Sequence, residues 1–350
     1  MVNKAKKKKK KVLDPIDNAL AVLGGAGIKA SQRRETVVIP TDIESINEIL
    51  FACGGFPVGK VIELYAKESV GKSTFAYWLT GQVQKRDGVV ALFDAEGAYV
   101  PDYGAACGID NDKLILPEFN HGEEALGQMK MLMATGSVDL IIADAMPAFQ
   151  PLINVEQVAG EKRTMNKSLA RAKMYTDFFN DLMGGFKIKA VGKNERYIKS
   201  TLGTDRHKVY ESNTSFVFIN HAKDKVGVVY GERTYTPGGD SINFASSMRL
   251  GMIKKSKKQT TKKVKGEKVK TLIYKLVRIV AVKNKLGIPF GEVIIKMFPD
   301  GHIEPADPDD WDDEELEEVE DSTEDDSDGF GEDDETDGEE EIEFEDIDKE

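Results

Sequence analysis

The sequence contains little cysteine and no long apolar stretch. Cys53 and Cys107 are the only cysteines among its 350 residues, and they form no CxxC pair. A disulfide framework is therefore excluded, and a reducing cytosol is favoured. No apolar run reaches the roughly 18 residues that a membrane-spanning helix needs. The N-terminal lysines are not followed by the apolar segment of a signal peptide, so a cytoplasmic location without a membrane partner is expected.

Basic residues are scarce in the last fifty positions and abundant elsewhere. Residues 301–350 contain 29 Asp and Glu and one Lys, whereas residues 1–300 contain 47 Lys and Arg against 32 Asp and Glu. A basic body with an acidic tail is typical of a protein that binds a polyanion and whose tail competes for the same surface. A tail that only increases solubility is the alternative.

Composition and patterning divide the chain into four segments. Residues 1–13 include the lysine block KAKKKKKK and are expected to form a disordered basic tail. Residues 14–50 are interpreted as a short helical segment for oligomerisation, and residues 51–304 as the core domain. Residues 305–350 are expected to be a disordered acidic tail, because almost no apolar residue there has an apolar neighbour.

Two short helices are expected in the segment 14–50. Asp14 is a suitable N-cap for the first helix, and Gly24 would end it. The second helix has Thr41 as its N-cap with Glu44 three residues later, which is the pattern of a capping box.

From Gly59 onward, apolar strands alternate with helices. Strands are predicted at 60–66, 89–97, 138–145 and 214–221, and helices at 73–86, 122–136 and 164–183. Short apolar runs between helices indicate an α/β fold with a mostly parallel twisted sheet and helices on both faces. Strands without intervening helices, at 246–255, 271–283 and 291–298, predict an antiparallel extension at the C-terminal end. The lysine-rich segment 256–270 is expected to be an exposed hairpin tip.

The stretch AKESVGKS at residues 66–73 is a near match to a phosphate-binding loop. It follows a predicted strand and precedes a predicted helix, the setting in which backbone N–H groups and the helix dipole bind a phosphate. Lys72 would contact the β- and γ-phosphates, and the Ser73 hydroxyl would bind Mg²⁺. A structural glycine turn is the alternative. Ala66 stands where the pattern starts with Gly, so a backbone outside the left-handed region is predicted there.

The loop supplies most of the predicted nucleotide-binding residues, which are Glu68, Ser69, Val70, Gly71, Lys72, Ser73 and Thr74. Asp144 ends the apolar strand VDLIIAD, where this class of protein has a Mg²⁺-associated carboxylate, so Ser73 and Asp144 are the candidate metal ligands. Glu96 follows the strand ALFDA near the carboxyl edge of the sheet and could take a proton from water. Either carboxylate could instead cap a helix.

Six stretches resemble, in order and spacing, the core of RecA-type recombinases. They are GGFPVGKVIELYAKESVGKST, LFDAEGAY, VDLIIADAMPAF, FVFINH, TPGGDSINFASSMRL and VAVKNKLGIPF. The resemblance covers about residues 41–298. The length of the chain and its acidic tail are most similar to the UvsX-like phage recombinases, which favours a phage-encoded protein in a bacterial cytoplasm. The resemblance implies a RecA-like P-loop ATPase core that uses ATP and Mg²⁺ and hydrolyses ATP within a helical filament.

The resemblance also implies roles for single residues near the nucleotide. Glu96 lies where the family has its water-activating glutamate, and Asp144 lies where it has the Mg²⁺-associated aspartate. Tyr103 matches a tyrosine whose ring packs on adenine. His221 matches the γ-phosphate sensor at the root of the second DNA-binding loop, although a strand-end histidine satisfied within the chain is the alternative.

Three further residues match positions of the family that act between subunits. Phe244 corresponds to an aromatic residue of the subunit interface. Lys283 and Lys285, in VKNK, correspond to lysines that reach the neighbouring subunit's ATP. The predicted catalytic residues are therefore Lys72, Glu96, His221, Lys283 and Lys285.

Two glycine-containing segments, 155–168 and 222–239, match the DNA-binding loops of the family. Their basic residues, which would contact the phosphate backbone, are Lys162, Arg163, Lys167, Lys223, Lys225 and Arg233. Basic loops that order on a phosphate backbone fit single-strand binding, with Tyr230 or Tyr235 available for base contact. Two merely solvated loops are the alternative.

The chain departs from bacterial RecA in three places. The sheet is expected to end near residue 298, without the further C-terminal DNA-gathering domain of that family. Val100 stands where an aspartate contacts adenine, which leaves strict adenine selectivity open. The basic insertion 186–213 is expected to lie along DNA in place of part of that domain.

The expected function is an ATP-dependent DNA recombinase that forms a filament on single-stranded DNA and pairs it with a homologous duplex. A hexameric helicase-type motor shares the core, but about 40 preceding residues are too few for its N-terminal collar. A non-catalytic, ATP-switched DNA- or partner-binding protein is a third alternative. The acidic tail is expected either to inhibit DNA binding or to recruit a single-strand-binding or mediator protein.

Overall fold

A nine-stranded sheet forms the centre of the computed structural model. The structure describes residues 14–23, 29, 31, 37–155, 167–183, 198–200, 210–212, 214–224, 234–264 and 267–307. The strands are β1 Val38–Ile39, β2 Phe56–Pro57, β3 Val61–Ala66, β4 Val90–Asp94, β5 Leu114–Ile115, β6 Leu140–Asp144, β7 Ile198–Ser200, β8 Tyr210–Ser212, β9 Ser215–His221, β10 Lys223–Asp224, β11 Thr234–Tyr235, β12 Met248–Val264, β13 Glu267–Asn284, β14 Glu292–Met297 and β15 Ile303–Pro305. The helices are α1 Pro15–Val22, α2 Lys72–Gln84, α3 Pro101–Ala106, α4 Gly122–Thr135, α5 Leu152–Val155, α6 Lys167–Met183 and α7 Ser241–Ala245.

The strand order combines a parallel half with an antiparallel half. The order is β15-β14-β13-β12-β3-β9-β6-β4-β5. All neighbours from β12 to β5 are parallel, whereas β12, β13, β14 and β15 pair antiparallel. The predicted α/β sheet with an antiparallel extension is confirmed. The sheet does not end near residue 298 as expected, because β15 adds one more strand beyond that position.

Two apolar cores cover the two faces of the sheet. On one face, α2 contributes Phe75 and Leu79 to a core with β3, β12 and β13. On the other face, α4 contributes Met129, and α6 contributes Phe178 and Phe179. Gly136 ends α4 in the left-handed conformation that favours glycine. The helices on both faces leave the carboxyl ends of the parallel strands as the open edge.

The first helix is confirmed, and the capping of the second differs from the prediction. The Asp14 carboxylate accepts a hydrogen bond from the backbone N–H of Ile16 (2.8 Å), as expected of an N-cap. Thr41 forms no capping box with Glu44. Its backbone N–H and its hydroxyl both donate to the Asn47 side-chain oxygen, at 2.8 and 2.9 Å, and hold the chain before a π-helical turn, Ile46–Leu50. A buried amide therefore replaces the expected glutamate.

The lysine-rich segment 256–270 belongs to a hairpin as predicted, but most of it is strand and not the expected tip. β12 and β13 pair from Met248 opposite Asn284 to Val264 opposite Glu267, so both strands continue through the lysines. In the basic insertion, β7 and β8 pair antiparallel. The basic N-terminal tail, residues 308–350 and most of the insertion lie outside the described residues. Among the helices that the structure describes, none has both the length and the apolar character to cross a membrane.

Candidate active site

The carboxyl ends of four adjacent parallel strands meet at one edge of the sheet. β3 leads into the loop AKESVGKS, and its last residue, Ala66, pairs with His221 at the end of β9. β6 ends at Asp144, in register with the end of β4, and Glu96 follows β4 by two residues. Ligands of open α/β sheets bind at this edge. The structure therefore brings together the loop, Glu96, Asp144 and His221.

The backbone of the loop has the shape that a phosphate requires. Ala66 lies in the extended backbone of β3, so the prediction that it avoids the left-handed region is confirmed. Ser69 (φ 60°) and Gly71 (φ 120°) have positive φ instead, and α2 begins immediately afterwards at Lys72. At a φ of 120° any other residue would be strained, and a Cβ at Gly71 would also lie 2.7 Å from the Met297 sulfur, so glycine is favoured there. The free N–H groups of the first helical turn face this loop.

The Lys72 side chain is folded into the loop. Its Nζ donates to the carbonyl oxygens of Ala66 (3.3 Å) and Lys67 (3.0 Å), and the residue is 7% exposed. Burial lowers the pKa of this ammonium group, whereas the Asp144 and Glu96 carboxylates oppose the shift. A charge held by two neutral carbonyls is incompletely compensated, so the site favours an anion beside Lys72.

Asp144 has the environment of a carboxylate that is held for a cation. It is 5% exposed, and burial, with Glu96 and Asp94 adding repulsion, raises its pKa to about 6. Ser73 donates a hydrogen bond to it, which opposes that shift. A hard divalent cation would offset the buried charge, and both side chains offer oxygen ligands. The described residues contain no group of three or more His, Cys, Asp or Glu side chains suited to a metal. Ser73 and Asp144 thus fit Mg²⁺ that is held mainly through phosphate and water.

Glu96 and His221 face each other from the ends of different strands. His221 Nε2 lies 3.6 Å from Glu96 Oε1, with the two side chains 25% and 40% exposed. That separation is longer than a hydrogen bond. Burial, followed by the charge of Lys72, lowers the pKa of His221, while Glu96 raises it. The imidazole is therefore mainly neutral at pH 7, and the Glu96 carboxylate remains accessible to water.

The remaining predicted nucleotide residues surround the first turn of α2. The Tyr103 hydroxyl hydrogen bonds with Thr74 Oγ1 (2.9 Å), which holds the ring of Tyr103 beside this turn. Val70 buries its side chain in the core, so it can offer only backbone groups. Glu68 is exposed in the loop, and its charge acts on Lys72 and His221. Val100 is exposed immediately before α3.

Lys275 is a contact of the loop that the sequence did not predict. It lies on β13, and its Nζ donates to the Ser69 carbonyl (3.3 Å). The same Nζ lies 3.2 Å from where a Cβ of Gly71 would be. Burial, with added repulsion from Lys254, lowers the pKa of Lys275. Lys275 therefore supports the loop from its outer side, at the residue with a positive φ.

A buried polar network behind the site was also missed. Glu63 is fully buried in β3 and accepts a hydrogen bond from Arg249 Nε (2.7 Å) and one from Asn220 Nδ2 (2.9 Å). Asn220 Nδ2 also donates to the Pro237 carbonyl (2.9 Å). Asn220 directly precedes His221, so the network joins the strand before the phosphate loop to both ends of the segment 222–239.

Lys283 and Lys285 lie beside α7. Lys283 donates to the Asn243 carbonyl, and Lys285 Nζ donates to the Phe244 carbonyl at 3.2 Å. In the sheet register, Lys283 is opposite Arg249, and Arg249 is opposite Glu63. Glu63 lies three residues before Ala66, so this level of the sheet is about 10 Å from the start of the phosphate loop. Within one chain the two lysines therefore lie away from the phosphate loop. Phe244 beside them is 69% exposed.

The predicted DNA-binding loops are described only in part. Lys167 begins α6, and Lys223 and Tyr235 belong to the antiparallel pair β10–β11 at the base of the segment 222–239. The predicted contacts Lys162, Arg163, Lys225, Tyr230 and Arg233 lie outside the described residues.

Comparisons with known proteins agree with this architecture. The model of the RecA N-terminal domain matches residues 13–180 and 176–303. Protein RecA of Aquifex pyrophilus is 32% identical over 265 residues, which cover 76% of this chain and 66% of the relative. Protein RecA of Streptococcus sanguinis is 30% identical over 293 residues, which cover 82% of this chain and 69% of that relative. The chain spans just under two thirds of the length of the Aquifex relative. Since the family model covers most of it, this chain belongs to the RecA family.

Proposed function

We propose that the chain is an ATP-dependent DNA recombinase. It is a DNA-dependent ATPase that assembles as a helical filament on single-stranded DNA and promotes pairing and strand exchange with a homologous duplex. The observation that carries the proposal is the 3.6 Å approach of Glu96 and His221. In this contact the Glu96 carboxylate, which is suited to accepting a proton, lies beside His221. His221 directly precedes the segment 222–239.

Each residue of the site has one role in hydrolysis. Lys72 leaves its two carbonyl partners and binds the β- and γ-phosphates of ATP. Glu96 orients a water molecule and accepts its proton. Ser73 and Asp144 hold Mg²⁺, which neutralises phosphate charge when it is bound. Tyr103, held by Thr74, lies against the base.

His221 couples the nucleotide to DNA. Its neutral imidazole can donate one hydrogen bond to a γ-phosphate oxygen, and the next residues open the second DNA-binding loop. The preceding residue, Asn220, is bonded to Pro237 at the far end of that loop. Movement of the histidine toward the phosphate therefore acts on both ends of the loop, which is a two-state element biased by the γ-phosphate.

The filament uses surfaces that a single chain leaves uncovered. Ile16, Val22 and Leu23 in and beside α1 are 56%, 84% and 56% exposed, which supports residues 14–50 as an oligomerisation segment. Phe244, Lys283 and Lys285 form a second surface. The two lysines reach the ATP of the neighbouring subunit, where they neutralise charge that develops in the transition state. ATP hydrolysis consequently depends on assembly.

DNA is held by the two basic loops, with the basic insertion 186–213 alongside. Lys162, Arg163 and Lys167 in the first loop contact the phosphate backbone, as do Lys223, Lys225 and Arg233 in the second. The acidic tail 305–350 competes with DNA for basic surface or binds a mediator or single-strand-binding protein.

Joint-molecule formation tests the proposal. The chain is incubated with ATP, Mg²⁺, a circular single strand and a linear duplex, which is either homologous or unrelated. We expect joint molecules only with homology and ATP. Glu96→Gln should bind ATP but hydrolyse it about 10²- to 10⁴-fold more slowly, because the general base is lost. No joint molecules from a chain that still hydrolyses ATP on DNA would refute recombinase activity, and closed rings in electron micrographs would indicate a helicase-type motor instead.

A further inference from the structure

The hydroxyl of Tyr175 connects α6 to the strand end that carries Asp144. Tyr175 is 1% exposed, and its hydroxyl donates a hydrogen bond to the carbonyl oxygen of Met146. Burial raises the pKa of Tyr175, so the hydroxyl stays protonated and acts as a donor. Met146 lies two residues after Asp144, which is the last residue of β6. A shift of this strand end therefore reaches α6 through one hydrogen bond.

The end of the segment 222–239 packs on the same two residues. Gly238 has a φ of 121°, and a Cβ there would lie 3.4 Å from Met146 Cε and 3.7 Å from Tyr175 Cδ2. The backbone of Gly238 therefore lies directly beside the Tyr175 ring, with no side chain between them. Because that φ favours glycine, the chain follows this path close to α6 without strain. Met146 and Tyr175 thus form the surface on which the end of the segment rests.

The helix α6 is also joined directly to the other proposed DNA-binding loop. It begins at Lys167, so the last residues of the segment 155–168 form its first turn. Tyr175 follows eight residues later, which is about 12 Å along the helix axis. Phe178 and Phe179 of the same helix are buried in the core, so a shift of α6 is transmitted along the helix and not absorbed by loose packing. The contacts of Tyr175 thus reach the connections of both loops.

The apolar core around α6 does not require this hydroxyl. Every other aromatic residue that the structure describes in this core is a phenylalanine, and Phe179 packs against Tyr175 with 6.3 Å between the ring centroids. Burying a hydroxyl costs free energy, which its hydrogen bond does little more than offset. The bond to Met146 therefore contributes mainly a fixed position of α6 and little core stability.

We propose that Tyr175 is a positioning residue that couples the nucleotide site to the two DNA-binding loops. This inference rests on the proposed function. A shift of the strand end at Asp144 passes through the Met146 carbonyl to α6, and through Gly238 to the end of the second loop. His221 acts at the start of the same loop, so the loop changes as a unit only when Tyr175 holds its other end.

Tyr175→Phe tests the inference in the full chain, because it removes the hydroxyl and keeps the ring. Fluorescence anisotropy measures the affinity for labelled single-stranded DNA with Mg²⁺ and either ATP or ADP, and the ratio of the two affinities measures the coupling. We expect this ratio to fall about three- to tenfold, the effect of one lost hydrogen bond. The affinity for ATP without DNA should stay close to that of the parent. An equal fall in that affinity would place the hydroxyl in the nucleotide site itself and overturn the inference.

Thr214→Val is the matched control. Thr214 is 3% exposed, and its Oγ1 donates to the Val138 carbonyl (2.7 Å), two residues before β6 begins. This variant therefore also removes a buried hydroxyl-to-carbonyl bond, but at the end of β6 that lies away from the nucleotide site. Thermal unfolding should change little and by a similar amount in both variants, whereas Thr214→Val should keep the affinity ratio of the parent. A ratio that falls equally in both variants, or does not fall in Tyr175→Phe, overturns the inference.

Hydrogen exchange with ATP and with ADP separates this inference from the proposed function. In the parent, the nucleotide should change amide exchange in both segments, 155–168 and 222–239. In Tyr175→Phe both changes should be smaller, because neither loop follows the strand end at Asp144. Full changes in the variant overturn only this inference. A parent that binds single-stranded DNA equally well with ATP and with ADP overturns the proposed coupling and the inference together.

Discussion

His221 Nε2 lies 3.6 Å from Glu96 Oε1, although the two residues are 125 positions apart in the sequence. The distance leaves room for the imidazole to turn toward a phosphate, and burial together with Lys72 keeps its pKa below the ordinary value. A neutral histidine can donate one hydrogen bond and does not compete with Lys72 for negative charge. This relationship connects the two parts of the site that act on ATP and on DNA.

The first prediction concerns the coupling role of His221. His221→Ala should bind ATP with an affinity within about threefold of the parent's. ATP should no longer raise the affinity of this variant for single-stranded DNA, because the hydrogen bond from the imidazole to the γ-phosphate is lost. His221→Gln keeps a donor of similar reach and should retain much of the coupling. Fluorescence anisotropy of labelled single-stranded DNA, with ATP and with ADP, measures this coupling. Normal ATP-dependent affinity in the alanine variant would contradict the role.

The second prediction concerns the support of the phosphate loop by Lys275. Lys275→Met removes the hydrogen bond to the Ser69 carbonyl and should weaken ATP binding about three- to tenfold, since one neutral acceptor bonded to a charged donor contributes roughly 1 kcal/mol or somewhat more. Fluorescent ATP analogues without DNA measure this effect. Lys254→Met removes the same charge from a neighbouring position on β12 and should have a smaller effect. Equal losses would indicate a general electrostatic contribution.

Sequence patterns predicted the site where its parts are local or follow strand ends. The loop AKESVGKS and Glu96 follow apolar strands and Asp144 ends one, and the carboxyl ends of parallel strands meet at one edge whatever the details of packing. The role of His221, which ends β9, was implied by the resemblance to RecA-type recombinases and not by the strand pattern. The N-cap of the first helix, Asp14, was likewise predicted from neighbouring residues. These features depend on interactions within a few residues.

Contacts between distant strands could not be predicted in this way. Lys275 reaches Ser69 only because β13 lies two strands from β3 and because register shifts occur after Arg249, Lys254 and Lys258 on β12. One such shift moves every later side chain to the other face. Glu63 and Arg249 pair across 186 residues for the same reason. Alternation in sequence indicates a strand but does not specify its partner.

The third prediction follows from the pKa of Asp144, which is about 6 in the folded chain against an ordinary 3.8. Between these values the folded chain keeps a proton that the unfolded chain has lost, so stability falls as pH rises from about 4 to about 6. Without Mg²⁺, Asp144→Asn should therefore raise the free energy of unfolding at pH 7.5 by about 1–3 kcal/mol and change it little at pH 4.

Urea denaturation at the two pH values measures this difference. Asp112→Asn, on the exposed surface, is the control, and its free energy of unfolding should be close to that of the parent at both pH values. A destabilised Asp144→Asn at pH 7.5 would show that the hydrogen bond from Ser73 outweighs the cost of burying the charge. Since Asp144 is also a proposed ligand of Mg²⁺, the stabilised variant should have lost ATP hydrolysis, a trade that is common in active sites.

The fourth prediction concerns the buried pair of Glu63 and Arg249. Arg249→Met leaves a fully buried carboxylate without its cation and should lower the free energy of unfolding by about 3–5 kcal/mol. Adding Glu63→Met should recover part of that loss, because two apolar side chains cost less than one unpaired charge. Arg278→Met is the control: it removes an equivalent ion pair, with the partly exposed Glu292, and should cost about 1 kcal/mol or less. If the double variant were less stable than Arg249→Met alone, the pair would not be the main contribution, and the hydrogen bond from Asn220 to Glu63 would be.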